Sequence, residues 1–391
     1  MAGEPEHGPA GDDVAGQQAT LRVAVDATPL LGRPTGVGAF CAGALGGLAG
    51  RSHLEVSAFA VSWRRRHGID ALVPAGVEVV GRPMPARPLH WAWSRAAVPP
   101  LEWFTNRADV VHGTNFVVPP TRHAARVSTV HDLTTVRYPE LCDAPTLAYP
   151  TLIRRALGRG AWVHTPSAFV AGEVVEMFGA DPERVRPVHS GVPPLPAPDA
   201  EAPRRWLPPD TERYVLAVGT AEPRKDLPTL VRAFGQVAEE RSDLALVLCG
   251  PPGWGSGAVE AAVAASPFGR RVVRTGWVDE ATLSGLLHGA AVLAYPSVYE
   301  GFGFPPLQAM VAGVPVVATR VGALPEILGD AAVLVGPGDV TALAGVMAAL
   351  LDTREHHATR VAAGRRRAAQ FTWERCAEGL DALYRDAARS R

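Results

Sequence analysis

The sequence predicts an α/β chain of two doubly wound domains facing a central cleft. Three observations carry this. Short apolar runs rich in Val, Leu and Ala alternate with helical stretches almost throughout, the pattern of a buried parallel sheet with helices on both faces. The alternation stops once, where seven prolines fall between positions 192 and 209, and then restarts. A length of 391 residues also exceeds what one such core usually organises.

Residues 1–19 hold Glu4, Glu6, Asp12 and Asp13 among several Gly and Pro and read as a disordered tail. The first domain, 20–195, opens on a β-branched strand over 21–26 and a helix of small residues over 37–48. Strands follow at 109–112 and 127–131, then a helix over 145–158, a strand near 161–165 and a helix over 167–178. Between them lies a segment rich in Trp, from Leu89-His90-Trp91-Ala92-Trp93 to Trp103-Phe104. It reads as a core-packed helix broken at Pro99-Pro100; the alternative is contact with a membrane surface or a lipid-linked acceptor. The proline stretch cannot sit inside helix or central strand, so 196–209 reads as a semi-rigid linker. The second domain, 210–370, has strands near 214–218, 244–249, 271–275, 291–294, 315–318 and 332–335. Residues 371–391 form one amphipathic helix with Trp373, Leu380, Leu383 and Tyr384 on its apolar side.

Composition narrows the class. Hydrophobic residues make up 47% and charged residues 20%, which is globular. The net charge of −1 gives no reason to expect nucleic acid. The runs Arg64-Arg65-Arg66 and Arg365-Arg366-Arg367 read as solvated faces. Cys41, Cys142, Cys249 and Cys376 are far apart with no CxxC, which points to free thiols in a reducing compartment and no metal site. No apolar run reaches the ~18 residues of a membrane span, and the N-terminus lacks a signal-peptide pattern. A cytoplasmic location is expected, with peripheral contact at the inner membrane face as its variant.

Ligands of doubly wound domains bind at the C-terminal ends of strands, and four polar constellations lie there. The first is Glu222-Pro223-Arg224-Lys225-Asp226. Lys225 is the only lysine in a chain whose Lys and Arg total 38, and a compact ammonium suits phosphate oxygens. Arg224 and Lys225 would open a helix over 227–237, adding its N-terminal partial charge; a surface pair is the alternative. The second runs from Tyr295 through Glu300-Gly301-Phe302-Gly303-Phe304-Pro305-Pro306 to Met310. Its prolines fit a first helical turn, leaving the Gly301–Phe304 amides free to donate while Glu300 accepts, as sugar hydroxyls require. A tight turn with a capping acid is the plain reading. The third is His131-Asp132, catalytic or structural. The fourth is Thr35-Gly36-Val37-Gly38, too short of glycines for a dinucleotide fingerprint and otherwise a loose helix start.

Together, in this order, these four motifs resemble the retaining nucleotide-sugar glycosyltransferases of family 4, with the GT-B architecture of two Rossmann-like domains, and most of all the mannosyltransferase-like branch. The similarity spans roughly residues 20–390. It implies that Arg224 and Lys225 hold the donor diphosphate, and that Glu300 with Gly301, Phe302, Gly303 and Phe304 grips the donor sugar. His131 would lie by the reacting sugar, as a catalytic residue with Glu300. Gly36, Gly38 and Asp132 would approach the diphosphate or acceptor, and the final helix would cross back to the first domain. The family's Glu-x7-Glu reads here as Glu300 with Gln308 eight positions on, so Gln308 would take the ribose role. Gly219 stands where many relatives carry a further Arg. The resemblance implies a nucleotide-sugar donor, GDP-mannose first and UDP-sugars next, a hydroxyl acceptor, no metal or other cofactor, and front-face retention. A phosphorylase would need its lysine for a Schiff base, which the placement of Lys225 disfavours. A catalytically degenerate nucleotide-binding homologue, acting as a partner subunit, is the alternative raised by Gln308 and Gly219.

Overall fold

The structure, a computed structural model, describes residues 20–32, 34–63, 68–80, 82–352 and 354–390. The tail 1–19 and the run Arg64-Arg65-Arg66 lie outside the described residues. The first sheet has seven strands: β1 (Leu21–Asp26), β2 (Leu54–Phe59), β3 (Glu78–Val80), β4 (Val110–Gly113), β5 (Ala125–Thr129), β6 (Trp162–Thr165) and β7 (Val185–Pro187). Their order is β3-β2-β1-β4-β5-β6-β7 and every neighbouring pair is parallel. The second has six: β8 (Arg213–Val218), β9 (Leu244–Cys249), β10 (Val272–Gly276), β11 (Val292–Tyr295), β12 (Val316–Thr319) and β13 (Val333–Val335), in the parallel order β10-β9-β8-β11-β12-β13. The apolar runs are apolar because both sheet faces are covered: all six residues of β9 are buried.

The first sheet carries α1 (Gly36–Ala49), α2 (Ala86–Arg95), α3 (Thr134–Arg137), α4 (Tyr149–Gly158) and α5 (Ala168–Phe178). After the short α6 (Ala202–Trp206), the second carries α7 (Leu227–Ala238), α8 (Ser256–Ala265), α9 (Glu280–Gly289), α10 (Phe304–Ala312), α11 (Leu324–Leu328), α12 (Val340–Asp352) and α13 (Arg354–Ala368); α14 (Trp373–Arg389) closes the chain. In each sheet the strand order reverses beside the first strand, between β1 and β4 and between β8 and β11. That is where a crevice opens at the strands' C-terminal ends.

Three strands were not anticipated. β3 and β7 are three-residue edge strands, and β2 alternates exposed Glu55 with buried neighbours, so none shows a continuous apolar run. The proline stretch is also more ordered than a plain linker. Pro203 occupies the first turn of α6, where its missing N–H costs nothing, and Ser284 Oγ donates to the Pro196 carbonyl at 2.8 Å. The Trp-rich segment divides: Leu89 and Trp93 are buried, whereas Trp91 and Trp103 are 61% and 60% exposed.

α14 leaves the second domain and packs on α1 of the first. A Cβ at Gly43 would come within 2.1 Å of the Trp373 ring, and one at Gly47 within 2.5 Å of the Trp373 carbonyl, so this small-residue helix exists to admit α14. Tyr384 of α14 meets His112 Nδ1 through its hydroxyl at 2.7 Å.

That bond begins a buried chain. His112 Nε2 meets the Thr129 hydroxyl at 2.7 Å, which meets His164 Nδ1 at 2.9 Å; His164 Nε2 donates to the Val188 carbonyl at 3.0 Å. Burial pushes His164 down to about 3, and burial plus His164 pushes His112 well below the usual range. Both are neutral when folded, but the unfolded chain protonates them near pH 6.5. Stability is therefore present above that pH and lost on acidification. The loss is about 2 kcal/mol per histidine at pH 5. Asp26, pushed up to about 6 by burial, opposes this by about 1 kcal/mol over the same range. Urea unfolding at pH 7 and pH 5 is expected to show a net loss of at least about 3 kcal/mol, because His131, lowered by burial, adds to the loss in the same direction; equal stability would contradict the neutral-histidine assignment.

Candidate functional site

β8 runs into Gly219, and residues Pro223–Lys225 then form a single 3-10 turn. Asp226 adopts a left-handed conformation with φ +43 before α7 begins at Leu227. Arg224 and Lys225 thus precede the helix and do not open it, a correction to the sequence expectation. Pro228 in the first turn of α7 has no N–H for the Arg224 carbonyl. That carbonyl accepts instead from Val298 N at 2.8 Å, which ties this loop to the one after β11.

The tie brings the two polar motifs into one cluster. Glu300 is 5% exposed. Its Oε1 accepts from Lys225 Nζ at 2.6 Å and from Ser297 Oγ at 2.7 Å, and its Oε2 faces Arg224 Nη1 at 2.8 Å. Lys225 Nζ also donates to the Tyr295 hydroxyl at 2.6 Å, and Arg224 Nη1 to the Tyr299 carbonyl at 3.0 Å. Burial works against the Glu300 carboxylate, but Arg224 and Lys225 outweigh it and hold the group down at about 2. Arg224 is likewise raised, its burial outweighed by Glu300, Asp132 and Glu222. Lys225 is lowered, first by burial and then by Arg224, against the pull of Glu300. Glu222 Oε2 accepts from Arg224 Nη2 at 3.3 Å. The two cations are thus balanced by Glu300 and Glu222, and an incoming anion exchanges with these carboxylates for Arg224 and Lys225.

Gly303 has φ +105 and leads into α10, with Pro305 and Pro306 in its first turn as expected. The amides of Gly301, Phe302 and Gly303 donate to no acceptor among the described residues, so they remain available at a helix N-terminus. Gln308 lies on the second turn of α10, half-buried, with no side-chain hydrogen bond among the described residues. A smaller pocket of about 260 Å³ adjoins the cluster at the ends of β8, β9 and β10, lined by Gly219, Ala221, Gly250, Ser256 and Gly276.

The first domain closes on this cluster. Ser167 Oγ donates to the Gly301 carbonyl at 2.9 Å. The Tyr299 hydroxyl accepts from Leu133 N at 3.0 Å and donates to buried Glu173. Glu326 accepts from the Ala168 and Phe169 amides at the start of α5, both at 2.9 Å. A Cβ on Gly301 would lie 1.9 Å from the His131 carbonyl. His131 itself donates from Nε2 to the Thr114 carbonyl at 2.8 Å. Since a carbonyl only accepts, Nδ1 is the unprotonated nitrogen, and burial keeps the ring neutral. Asp132 accepts from Thr134 N at 3.0 Å. Thr35 caps α1 by accepting from Gly38 N at 3.1 Å, and Gly36 faces the Phe304 ring, 3.7 Å from where a Cβ would be.

All four sequence motifs therefore converge on one cleft. What sequence reasoning missed are the residues that join them: Ser167, Glu173, Tyr299 and Glu326. Among the described residues, no group of three His, Cys, Asp or Glu side chains is placed to hold a metal ion, and no helix is long and apolar enough to cross a membrane.

Comparison with known proteins agrees with this geometry. Residues 34–194 match the family model described as Glycosyltransferase Family 4, and residues 212–353 match Glycosyl transferases group 1. The chain is 30% identical over 278 residues to the O-antigen chain mannosyltransferase B of Escherichia coli, covering 68% of this chain and 71% of that one. Among solved structures it resembles the sucrose-phosphate synthase of Thermosynechococcus elongatus (TM-score 0.72, 20% identity, 95% and 100% of the two chains). It also resembles the Anabaena protein HepE in complex with UDP and glucose (TM-score 0.69, 16% identity, 94% and 100%). At these identities the two structures speak for the fold alone.

Proposed function

The chain belongs to glycosyltransferase family 4 and is a glycosyltransferase of the GT-B fold, and on that premise we propose that it moves a hexose from a nucleoside diphosphate sugar to a hydroxyl acceptor with retention of anomeric configuration. The observation that carries this is the buried Arg224–Lys225–Glu300 cluster beside the free amides of Gly301–Gly303. In the reaction the bond between the anomeric carbon and the diphosphate oxygen breaks, and the acceptor oxygen bonds to the same face. The acceptor proton passes to the departing phosphate. Charge separation is the barrier, and Arg224, Lys225 and the α10 N-terminus are fixed where the negative charge grows. The two cations stand in for a metal ion, so none is required.

Glu300, relieved of part of its pairing by the incoming diphosphate, accepts from sugar hydroxyls, while the Gly301, Phe302, Gly303 and Phe304 backbone donates. His131 Nδ1 accepts from a hydroxyl of the reacting sugar. The pocket lined by Gly219 and Gly250 takes the nucleoside, with Gln308 serving the ribose. Gly36, Gly38 and Asp132 border the diphosphate from the first domain. Closure through Tyr299 and Ser167 excludes water, protecting the donor from hydrolysis. The name of the Escherichia coli relative favours mannose, and hence GDP-mannose, with UDP-sugars as the second candidate. Exposed Trp91 and Trp103 suit peripheral contact with a membrane surface.

A thermal-shift screen of GDP-mannose, UDP-glucose and UDP-N-acetylglucosamine, with their free nucleoside diphosphates, tests this. One nucleotide family should raise the melting temperature by mass action and be consumed when acceptor-bearing extract is added. No shift with any would favour a degenerate homologue, and a shift without consumption a nucleotide-binding partner subunit.

A further inference from the structure

The two crossings between the domains meet at one place. Val192, leaving the first domain, donates its amide to the Phe371 carbonyl at 3.0 Å, just before α14 returns. A cavity of about 350 Å³ opens there. Its lining comes from residues 187–189 at the end of β7, from the end of α13 with the turn after it, and from the first two turns of α14. The two sides belong to different domains. A Cβ on Gly379 of α14 would meet Val188 Cγ1 at 2.5 Å, so α14 is seated directly on the end of β7. Arg367 of α13 is fixed to the second domain instead: its Nε donates to the Ile327 carbonyl at 2.9 Å and its Nη2 to the Glu326 carbonyl.

Arg367 closes a run that the sequence presents as a solvated face, yet its guanidinium is fully engaged. Nη1 donates to Gln370 Oε1 at 2.7 Å, and the group lies over the Phe371 ring at 5.1 Å. Arg375 Nη1 donates to the Gln370 carbonyl at 3.0 Å. On the first-domain side, His189 Nε2 donates to Glu326 Oε1 at 2.7 Å. Carbonyl and amide oxygens thus hold both guanidiniums in place and neutralise neither. Among the described residues, neither has a carboxylate oxygen within 4 Å. No Asp or Glu lines the cavity; Glu374 and Glu378, the nearest acids in sequence, lie off it. The last carbonyls of α11 account for Arg367. They do not account for Arg375, which stands in the first turn of α14 after the cap Thr372. The partial charge there is already positive, so a cation is unfavourable unless an anion joins it.

We propose that this cavity is an effector site for a small soluble phosphate monoester, held by Arg367, Arg375 and the start of α14, and that the bound anion ties the two domains in the closed arrangement. Guanidinium forks match phosphate oxygens in pairs, and forks already fixed in place lose little freedom on binding. The volume lies at the lower end of small-molecule sites, with room for a phosphate and a short polar body. No large exposed apolar side chain lines the cavity, so nothing there would anchor a lipid tail. One fork belongs to each domain, so the anion favours the state in which they stand together. His189 links the cavity to that state. Its partner Glu326 also accepts from the Ala168 and Phe169 amides of the first domain. Neither arginine belongs to the donor cleft, so the site stands whether or not that cleft binds nucleotide.

Calorimetry of the full chain with glycerol 3-phosphate tests this, with glycerol as the neutral control and Lys225→Ala as the background that removes the donor-site ammonium. Glycerol 3-phosphate should bind both the parent and Lys225→Ala, and glycerol neither. In that background Arg375→Gln should weaken binding about tenfold or more, and Arg375→Glu should abolish it. Arg375 is exposed, so both variants keep the fold. Hydrogen exchange at the Ala168 and Phe169 amides should slow when the ligand is present, and should not respond to it in Arg375→Glu. No binding, equal binding of glycerol, or an affinity unchanged in Arg375→Glu overturns the site. Binding to the parent that is lost in Lys225→Ala places the anion in the donor cleft and overturns it too. Binding with unchanged exchange at the two amides overturns the tie between domains. Capture by phosphatidic acid vesicles that depends on Arg375, without binding of glycerol 3-phosphate, overturns the soluble class. Each of these failures leaves Lys225-dependent nucleotide binding intact.

Discussion

Lys225→Ala should weaken nucleoside diphosphate binding about 30- to 1000-fold. The ammonium is placed by Glu300 and the Tyr295 hydroxyl, both at 2.6 Å, and lies 4.6 Å from the Tyr295 ring centre. Its side chain is 13% exposed, so its contacts with phosphate oxygens are made in a largely water-excluded site. Removing charge-assisted hydrogen bonds of this kind costs about 2–4 kcal/mol. Lys225→Arg should not restore binding. A Cβ at Gly219 would already lie 3.3 Å from Lys225 Cε, and the wider planar guanidinium does not fit a space shaped to a point charge. Calorimetry with GDP and UDP on the three proteins reads this; an affinity unchanged in Lys225→Ala would remove the diphosphate role.

Gly301→Ala should lower turnover at least 100-fold while each domain stays folded. The new methyl would sit 1.9 Å from the His131 carbonyl and 3.0 Å from Asp132 Cβ. Backbone cannot yield by that much, so the domains must separate. Separation breaks the Ser167–Gly301 and Leu133–Tyr299 bonds and admits water to the donor. A misplacement of about 1 Å already costs about 100-fold in positioning. Affinity for the free nucleoside diphosphate, which depends on the second domain, should change only a few-fold. Kinetics of donor consumption beside nucleotide titration distinguishes the two; a variant with parental turnover would show that the closed contact is dispensable.

The fold was legible because both sheets are covered on each face, so β8, β9, β11 and β12 appear as uninterrupted apolar runs. β2 escaped notice because Glu55 and Ser57 interrupt its pattern, and β3 and β7 because three residues are too few to show one. The motifs of the cleft were legible as strand-end residues of unusual type: the lone Lys225, Glu300 before two glycines, His131 beside Asp132. Their pairing was not. Nothing in spacing tells that a missing Pro228 N–H sends the Arg224 carbonyl to Val298, yet that bond helps set the cluster. The buried chain His112–Thr129–His164 had a signal, since each of these polar residues is the last or next-to-last of its strand, but only strand order reveals that they are neighbours.

The central claim is that Arg224, Lys225 and the start of α10 receive the donor diphosphate. A crystal structure with GDP-mannose or UDP-glucose, whichever the screen selects, tests it most directly. The account predicts the diphosphate within hydrogen-bond distance of Lys225 Nζ and Arg224, with at least one of their bonds to Glu300 released and the sugar against the Gly301–Phe304 backbone. A nucleotide bound elsewhere, with the Lys225–Glu300 and Arg224–Glu300 pairs intact, would contradict it.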